Sequence, residues 1–250
     1  MQANALVGND AGDAVLEATM DGPTLGFPDG GLIALGGADA SCLVNGVDVP
    51  TRHPIALERG SIVAVGRAVD GSRIYVAVAG GIDVPILLGS RSTCLRAQFG
   101  GYEGRALRSG DVLQIGTLSE RSVAVVRELT RVRSLGPTVG HWRAQRRIRN
   151  RVVQFLRGED YPLLAIESRR ALTNDAFIVD SASDRMGLRL RGRRMRLVHD
   201  LSLPSRAVFP GTIQLPPDGM PIILLADSGT TGGYPVIGYV TRADLSGLGQ

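Results

Sequence analysis

Apolar residues in this chain fall in short runs bounded by Gly, Pro and Asp, a pattern that predicts strands more than helices. Strands are predicted at residues 15–20, 32–35, 62–65, 74–78 and 112–115, and further along at 122–126, 152–156, 176–179, 222–225 and 236–240. Residues 15–20 mix polar and apolar positions, as a half-exposed strand does. Residues 222–225 are apolar throughout and read as a strand buried on both faces. Helix signals are few. Thr241 is placed to cap a terminal helix, and residues 141–156 fit either one helical face (Trp142, Ile148, Val152, Leu156) or, at their end, a strand. Closely spaced strands with Gly/Pro turns, without regular strand–helix alternation, give a mainly β fold with few short helices and argue against a doubly wound α/β sheet.

Composition narrows the chemistry. The chain has 250 residues, enough for one large or two small domains, and its 44% hydrophobic and 21% charged residues are those of a globular protein. All 28 basic residues are arginine. The absence of lysine excludes a P-loop, a Schiff-base lysine and an attached biotin or lipoyl group on this chain. Residues 121–151 hold nine arginines against one acid, Glu128, so the basic character belongs to one stretch and the rest is net acidic. That distribution does not describe a nucleic-acid-binding fold. The stretch also carries Gly136, Pro137 and Gly140, and reads as a solvated connection, with an anion-binding or partner-binding strip as the alternative. The expected organisation is a first β half at 1–116, an arginine-rich linker at 117–150 and a second β half at 151–250. Two cysteines, no basic-then-apolar leader and no apolar run of membrane length predict a reduced, cytoplasmic protein with no membrane segment.

Signatures of hydrolytic or metal chemistry are missing. His53, His141 and His199 are far apart, neither they nor Cys42 and Cys94 have metal-ligand spacing, and there is no Gly-x-Ser-x-Gly elbow. Instead, polar residues crowd beside turn residues in four places. One runs from Gly80, Gly81 and Asp83 to Arg91, Ser92 and Thr93. The others contain Ser183, Asp184 and Arg185; Asp218 and Gly219; and Asp227 with Thr230, Thr231, Gly232, Gly233 and Tyr234. Arg91 and Arg185 are suited to bidentate grip of a carboxylate or phosphate, and residues 230–233 to presenting backbone N–H groups to an anion. Turn chemistry with surface ion pairs accounts for the same residues equally well.

These clusters, in this order, carry a resemblance. Together with Ala3-Asn4-Ala5-Leu6-Val7-Gly8-Asn9, Gly22-Pro23-Thr24-Leu25, Gly211-Thr212-Ile213-Gln214 and Gly232-Gly233-Tyr234-Pro235, they make the chain resemble the family of the 5-oxoprolinase C subunit, also known as allophanate hydrolase subunit 2, among the biotin-dependent carboxyltransferase relatives. The resemblance implies two cyclophilin-like β-barrel halves in tandem. It implies a sister subunit (the 5-oxoprolinase B subunit, or allophanate hydrolase subunit 1), a separate A subunit and a small-molecule substrate. The implied reaction is the ATP-dependent opening of 5-oxoproline to glutamate. Two alternatives are a carboxyltransferase component acting on urea, with biotin on another chain, and a non-catalytic regulatory partner of the sister subunit. A cyclic amide is a poor electrophile until its oxygen is made a leaving group, and such a site needs cationic or N–H donors. Without lysine, Arg91, Arg185 and residues 230–233 are the available donors. The substrate- or anion-binding candidates are therefore Arg91, Ser92, Thr93, Ser183, Asp184, Arg185, Asp218, Asp227, Thr230, Thr231, Gly232, Gly233 and Tyr234. The chain departs from the family pattern in starting after its Gln-Asp-x-Gly-Arg motif, in ending before its closing strand, and in carrying Val236 where many relatives have lysine.

Overall fold

The computed structural model describes residues 2–131, 138–139, 152–199 and 203–248. The chain divides into two compact units, residues 1–147 and 148–249. Most of the arginine-rich stretch, including Arg133, Arg143, Arg146, Arg147, Arg149 and Arg151, lies outside the described residues, as do His141 and Trp142.

The first unit is built on two long antiparallel strands, β3 (Gly31–Val44) and β6 (Ser61–Val78), paired from Ile33↔Val78 to Val44↔Val63. The strands predicted at 62–65 and 74–78 are the two ends of β6. Around them lie β1 (Leu16–Thr19) and β2 (Thr24–Phe27) on β6, β4 (Val47–Asp48) and β5 (Ile55–Leu57) on β3, and β7 (Thr138–Val139) on β5. Register shifts between Gly37 and Cys42 bend the β3–β6 ladder. Gly37 sits at φ +85°, where a Cβ would stand 2.2 Å from the Arg73 carbonyl, so the bend depends on glycine there.

β3 is buried on both faces at its start. Ile33 and Leu35 join a core with Ile55, Val63, Ile74 and Val76, while Leu32 and Ala34 pack beneath Ala3, Val7 and Leu129. Each fully buried aliphatic side chain contributes roughly 1.5–3 kcal/mol relative to exposure. The second layer is supplied by two helices, α1 (Gln2–Leu6) and α2 (Glu120–Arg131). Residues 122–126, predicted as a strand, are part of α2. The deciding signal is Ser119, whose Oγ accepts the Ser122 N–H at 3.0 Å as an N-cap, while Ser122, Val125, Val126 and Leu129 share the inward face. The strand predicted at 112–115 is also absent. Ile115 pairs in a single bridge to Ile82, and Asp111, just before the segment, is bound by Arg105 and the Arg108 N–H.

The second unit has a six-stranded antiparallel sheet ordered β8 (Phe155–Arg157), β15 (Val236–Val240), β12 (Thr212–Gln214), β13 (Ile222–Leu224), β10 (Gly187–Arg191) and β9 (Ile178–Val179). A two-stranded ribbon, β11 (Arg206–Ala207) with β14 (Thr231–Gly232), stands apart from it. Its core gathers Leu164, Met195, Ile213, Leu215, Ile223 and Ile237. β13 is buried at Ile223 alone; Ile222 and Leu224 are half-buried, so this strand has one inner face rather than two. A one-turn 3-10 helix (Tyr161–Leu163) leads to α3 (Ile166–Asn174), and α4 (Arg242–Leu248) starts directly after Thr241. The mainly β class with short helices is as the sequence predicts.

Candidate functional site

The first unit contains a cleft of about 340 Å³, within the range of small-molecule sites, at the end of the β3–β6 ladder. Its floor is the turn that follows β6. Gly80, at φ +91°, approaches Gly116 so closely that a Cβ on Gly80 would stand 2.3 Å from the Gly116 carbonyl. The turn is pinned by the segment that follows α1. Asn9, almost fully buried, donates to the Val78 carbonyl at 2.8 Å and to Asn4 Oδ1 at 3.1 Å, and accepts the Gly80 N–H at 2.9 Å. Asn4, also buried, donates to the Asp13 carbonyl at 2.8 Å. These two amides spend their hydrogen bonds on the scaffold and fix where residues 10–13 lie.

Three carboxylates line the cleft, Asp10, Asp13 and Asp83, facing one guanidinium, Arg91. Asp13 accepts the Asp10 N–H at 2.8 Å, and Asp10 pairs with Arg121 from the first turn of α2. Asp83 is exposed, and Arg91 donates an N–H to the Val84 carbonyl. Thr117 and Ser119 add hydroxyls, of which that of Ser119 donates to the Gly8 carbonyl at 2.7 Å. The arrangement offers one cation for a carboxylate and several acceptors for N–H or cationic groups. Asp10 is already met by Arg121, so a triphosphate would find one guanidinium, Arg91, set against Asp13 and Asp83, a balance that disfavours it. No lysine is available to carry biotin. Among the described residues, no cluster of three or more His, Cys, Asp or Glu side chains is placed to hold a metal ion, and no helix is long and apolar enough to cross a membrane.

Of the sequence candidates, Arg91 lines this cleft, with Ser92 and Thr93 following it in the same loop. The other ten belong to the second unit. There, Arg185 and Asp227 meet as an ion pair, with Nε 2.6 Å and Nη2 3.3 Å from the two carboxylate oxygens. Asp184 accepts the Met186 and Gly187 N–H groups, Ser183 Oγ accepts the Arg189 N–H, and Asp218 accepts the Met220 N–H; all three spend bonds on their own turns. Thr231 and Gly232 form β14, the Thr230 carbonyl accepts the Val208 N–H, and the Tyr234 carbonyl accepts from Gln214. Gly233 and the Tyr234 side chain are exposed.

Two groups in the second unit are not signalled by the sequence. Asp160, buried, receives the Val236 N–H at 2.7 Å and pairs with Arg206 of β11, so one carboxylate ties β15 to the ribbon. Tyr239 donates to Glu159 at 2.7 and 2.8 Å and stacks on Phe209. Burial, with the Glu159 bond behind it, pushes the Tyr239 hydroxyl up to about 12, and the same bond holds the Glu159 carboxyl below its usual range. Sequence reasoning misses Asp10 and Asp13 because their roles depend on Asn4 and Asn9 reaching the far end of β6. The Asn-rich opening motif is the signal available.

Fold and site together define a mainly β protein of two sheet-built units, with a small acidic cleft in the first. The chain belongs to the family described as carboxyltransferase domain, subdomain A and B, whose model matches residues 1–250. It is 36% identical over 248 residues to the C subunit of 5-oxoprolinase from Escherichia coli, covering 99% of this chain and 75% of that one. The corresponding protein of Haemophilus influenzae is 34% identical over 251 residues, covering 99% of this chain and 74% of that one. Among solved structures, the crystal structure of K. lactis urea amidolyase superposes on the whole of this chain with a TM-score of 0.81 at 29% identity. This chain spans only 16% of that much longer polypeptide.

Proposed function

We propose that this chain is one subunit of an ATP-dependent amide-opening complex, a 5-oxoprolinase, that converts 5-oxoproline, ATP and water to glutamate, ADP and phosphate. The likeness to two bacterial 5-oxoprolinase C subunits along nearly the entire chain carries this reading. The chain's own part is to hold the small amide. Arg91 pairs with the substrate carboxylate, and Asp83 accepts the ring N–H. The acidic cleft is a poor host for a triphosphate, so we assign ATP to the other subunits. The sister B subunit and an A subunit complete the enzyme in this reading, and its setting is the cytoplasm.

The likeness to urea amidolyase supports a second reading, a carboxyltransferase component that takes a carboxyl group from biotin on another chain. Position 236 weighs against it. Val236 is 1% exposed and has no ionisable nitrogen to receive or guide a carboxyl group. Co-expression with the A and B subunits, followed by an assay for glutamate formed from 5-oxoproline with and without ATP, separates the readings. ATP-dependent glutamate supports the first. A stable complex that forms no glutamate overturns it in favour of another amide or a regulatory role.

A further inference from the structure

Resting on the reading of this chain as one subunit of a larger enzyme, we infer that the turn at residues 87–90 is the anchor on which the sister subunit seats beside the cleft, with Leu88 as the anchoring side chain. The turn is closed by reciprocal bonds, Leu87 N to the Ser90 carbonyl at 2.9 Å and Ser90 N to the Leu87 carbonyl at 3.0 Å. Its two central residues, Leu88 and Gly89, both have positive φ, +51° and +77°. This is the type I′ geometry, whose first central position favours Asn, Asp or Gly. Leucine there is strained, and it buries almost nothing within the chain because it is 94% exposed. Ile86 and Leu87, just before it, are 61% and 43% exposed. A run of three exposed apolar residues ending on a strained one has no folding rationale, so its benefit is made outside the chain.

The place of the turn tells where the partner goes. Asp83 and Arg91, on either side of it, both line the cleft, and Arg91 donates across its base to the Val84 carbonyl. A body resting on Leu88 therefore stands at the cleft's rim. That body is a protein. The charges that flank it, Asp83 and Arg91, offset each other, so the turn offers no net positive charge to an anionic lipid surface or a nucleic acid. The similar bacterial proteins are named as subunits of an enzyme, and in urea amidolyase the matched region is embedded in a far longer chain.

The test is titration calorimetry between this chain and the 5-oxoprolinase B subunit. Leu88→Gly removes the anchor and relieves the strain at once. It is expected to weaken association about 10- to 100-fold, while the melting temperature of the chain alone stays unchanged or rises. Val69→Ser, at a residue 85% exposed on β6, is the control and leaves affinity unchanged. Wild-type affinity in Leu88→Gly overturns the anchor. So does a fall in melting temperature in that variant, which makes Leu88 structural. Failure of the wild-type chain to bind the B subunit at all overturns the multi-subunit reading itself, and the anchor with it.

Discussion

Arg185 and Asp227, 42 residues apart, face each other fork to carboxylate across the turns that flank β10 and β13. Their side chains are 41% and 43% exposed, so water screens the pair and it contributes at most about 1 kcal/mol to stability. Arg185→Ala is therefore expected to lower the melting temperature only slightly. If Arg185 serves the reaction, the same variant abolishes glutamate formation by the reconstituted complex while assembly persists. Turnover, melting temperature and complex size measured together check this. Loss of assembly would make the pair structural.

Arg105 grips Asp111 with both arms, at 2.8 and 2.9 Å. The side-chain bond to Arg105, helped by the Arg108 N–H, holds the Asp111 carboxyl down at about 2 against an ordinary 3.8. A depressed carboxyl stabilises the fold above its unfolded value and loses that contribution as pH falls toward the folded one. Stability of the first unit is thus expected to decline between about pH 4 and pH 2, with a shallower decline in Asp111→Asn. Urea unfolding at a series of pH values reads both slopes.

Gly80→Ala would place a methyl group 2.3 Å from the Gly116 carbonyl, at a φ of +91°. The strain alone is about 1–3 kcal/mol, and the floor of the cleft has to open to relieve the clash. A clear drop in melting temperature is expected, as is loss of any ligand that the cleft binds. A crystal structure of the variant with the Gly80–Gly116 approach unchanged would refute this account of the glycine.

Asn9→Ala leaves the Gly80 N–H without its side-chain partner, while the Val78 carbonyl keeps the Gly81 N–H at 2.9 Å. A polar group left unsatisfied in the interior costs about 1–3 kcal/mol, and amide exchange at Gly80 is expected to speed up markedly. Exchange measured by mass spectrometry over residues 78–83 checks the second point independently of global stability.

Cys42 is fully buried, and burial, with the Asp48 charge behind it, pushes its thiol up to about 11. Cys94 is half-exposed. An alkylating reagent at neutral pH is expected to modify Cys94 in the native protein and Cys42 only on unfolding. Peptide mapping after a timed reaction decides it.

The strands with strong local patterns are legible in the sequence: β1, both ends of β6, and β15 to its boundaries. Residues 122–126 mislead because a valine-rich run looks alike on a strand and on a helix face; the Ser119 cap, just upstream, is the arbiter. β13 reads as buried twice over because its residues are all apolar, although partial exposure of Ile222 and Leu224 is what the fold gives them. β2, β5 and α3 are not anticipated, since two of them are three or four residues long and α3 has no side-chain cap. Arg91 is visible as a candidate in the sequence. Asp83 stands in the same cluster, but Asp10 and Asp13 are not visible, because they come to the cleft through the Asn9 bonds, made across some seventy residues.

The same Asn9 bonds have a practical consequence. Residues 10, 83 and 119 become walls of one space only after the first helix, the end of β6 and the start of α2 have met, so no partly folded chain offers that space to a small molecule. Any compound that raises the unfolding temperature of the first unit through this space does so by mass action on its finished state. A thermal-shift screen of small cyclic amides, ureas and amino acids would therefore sort substrate classes before a single turnover is measured.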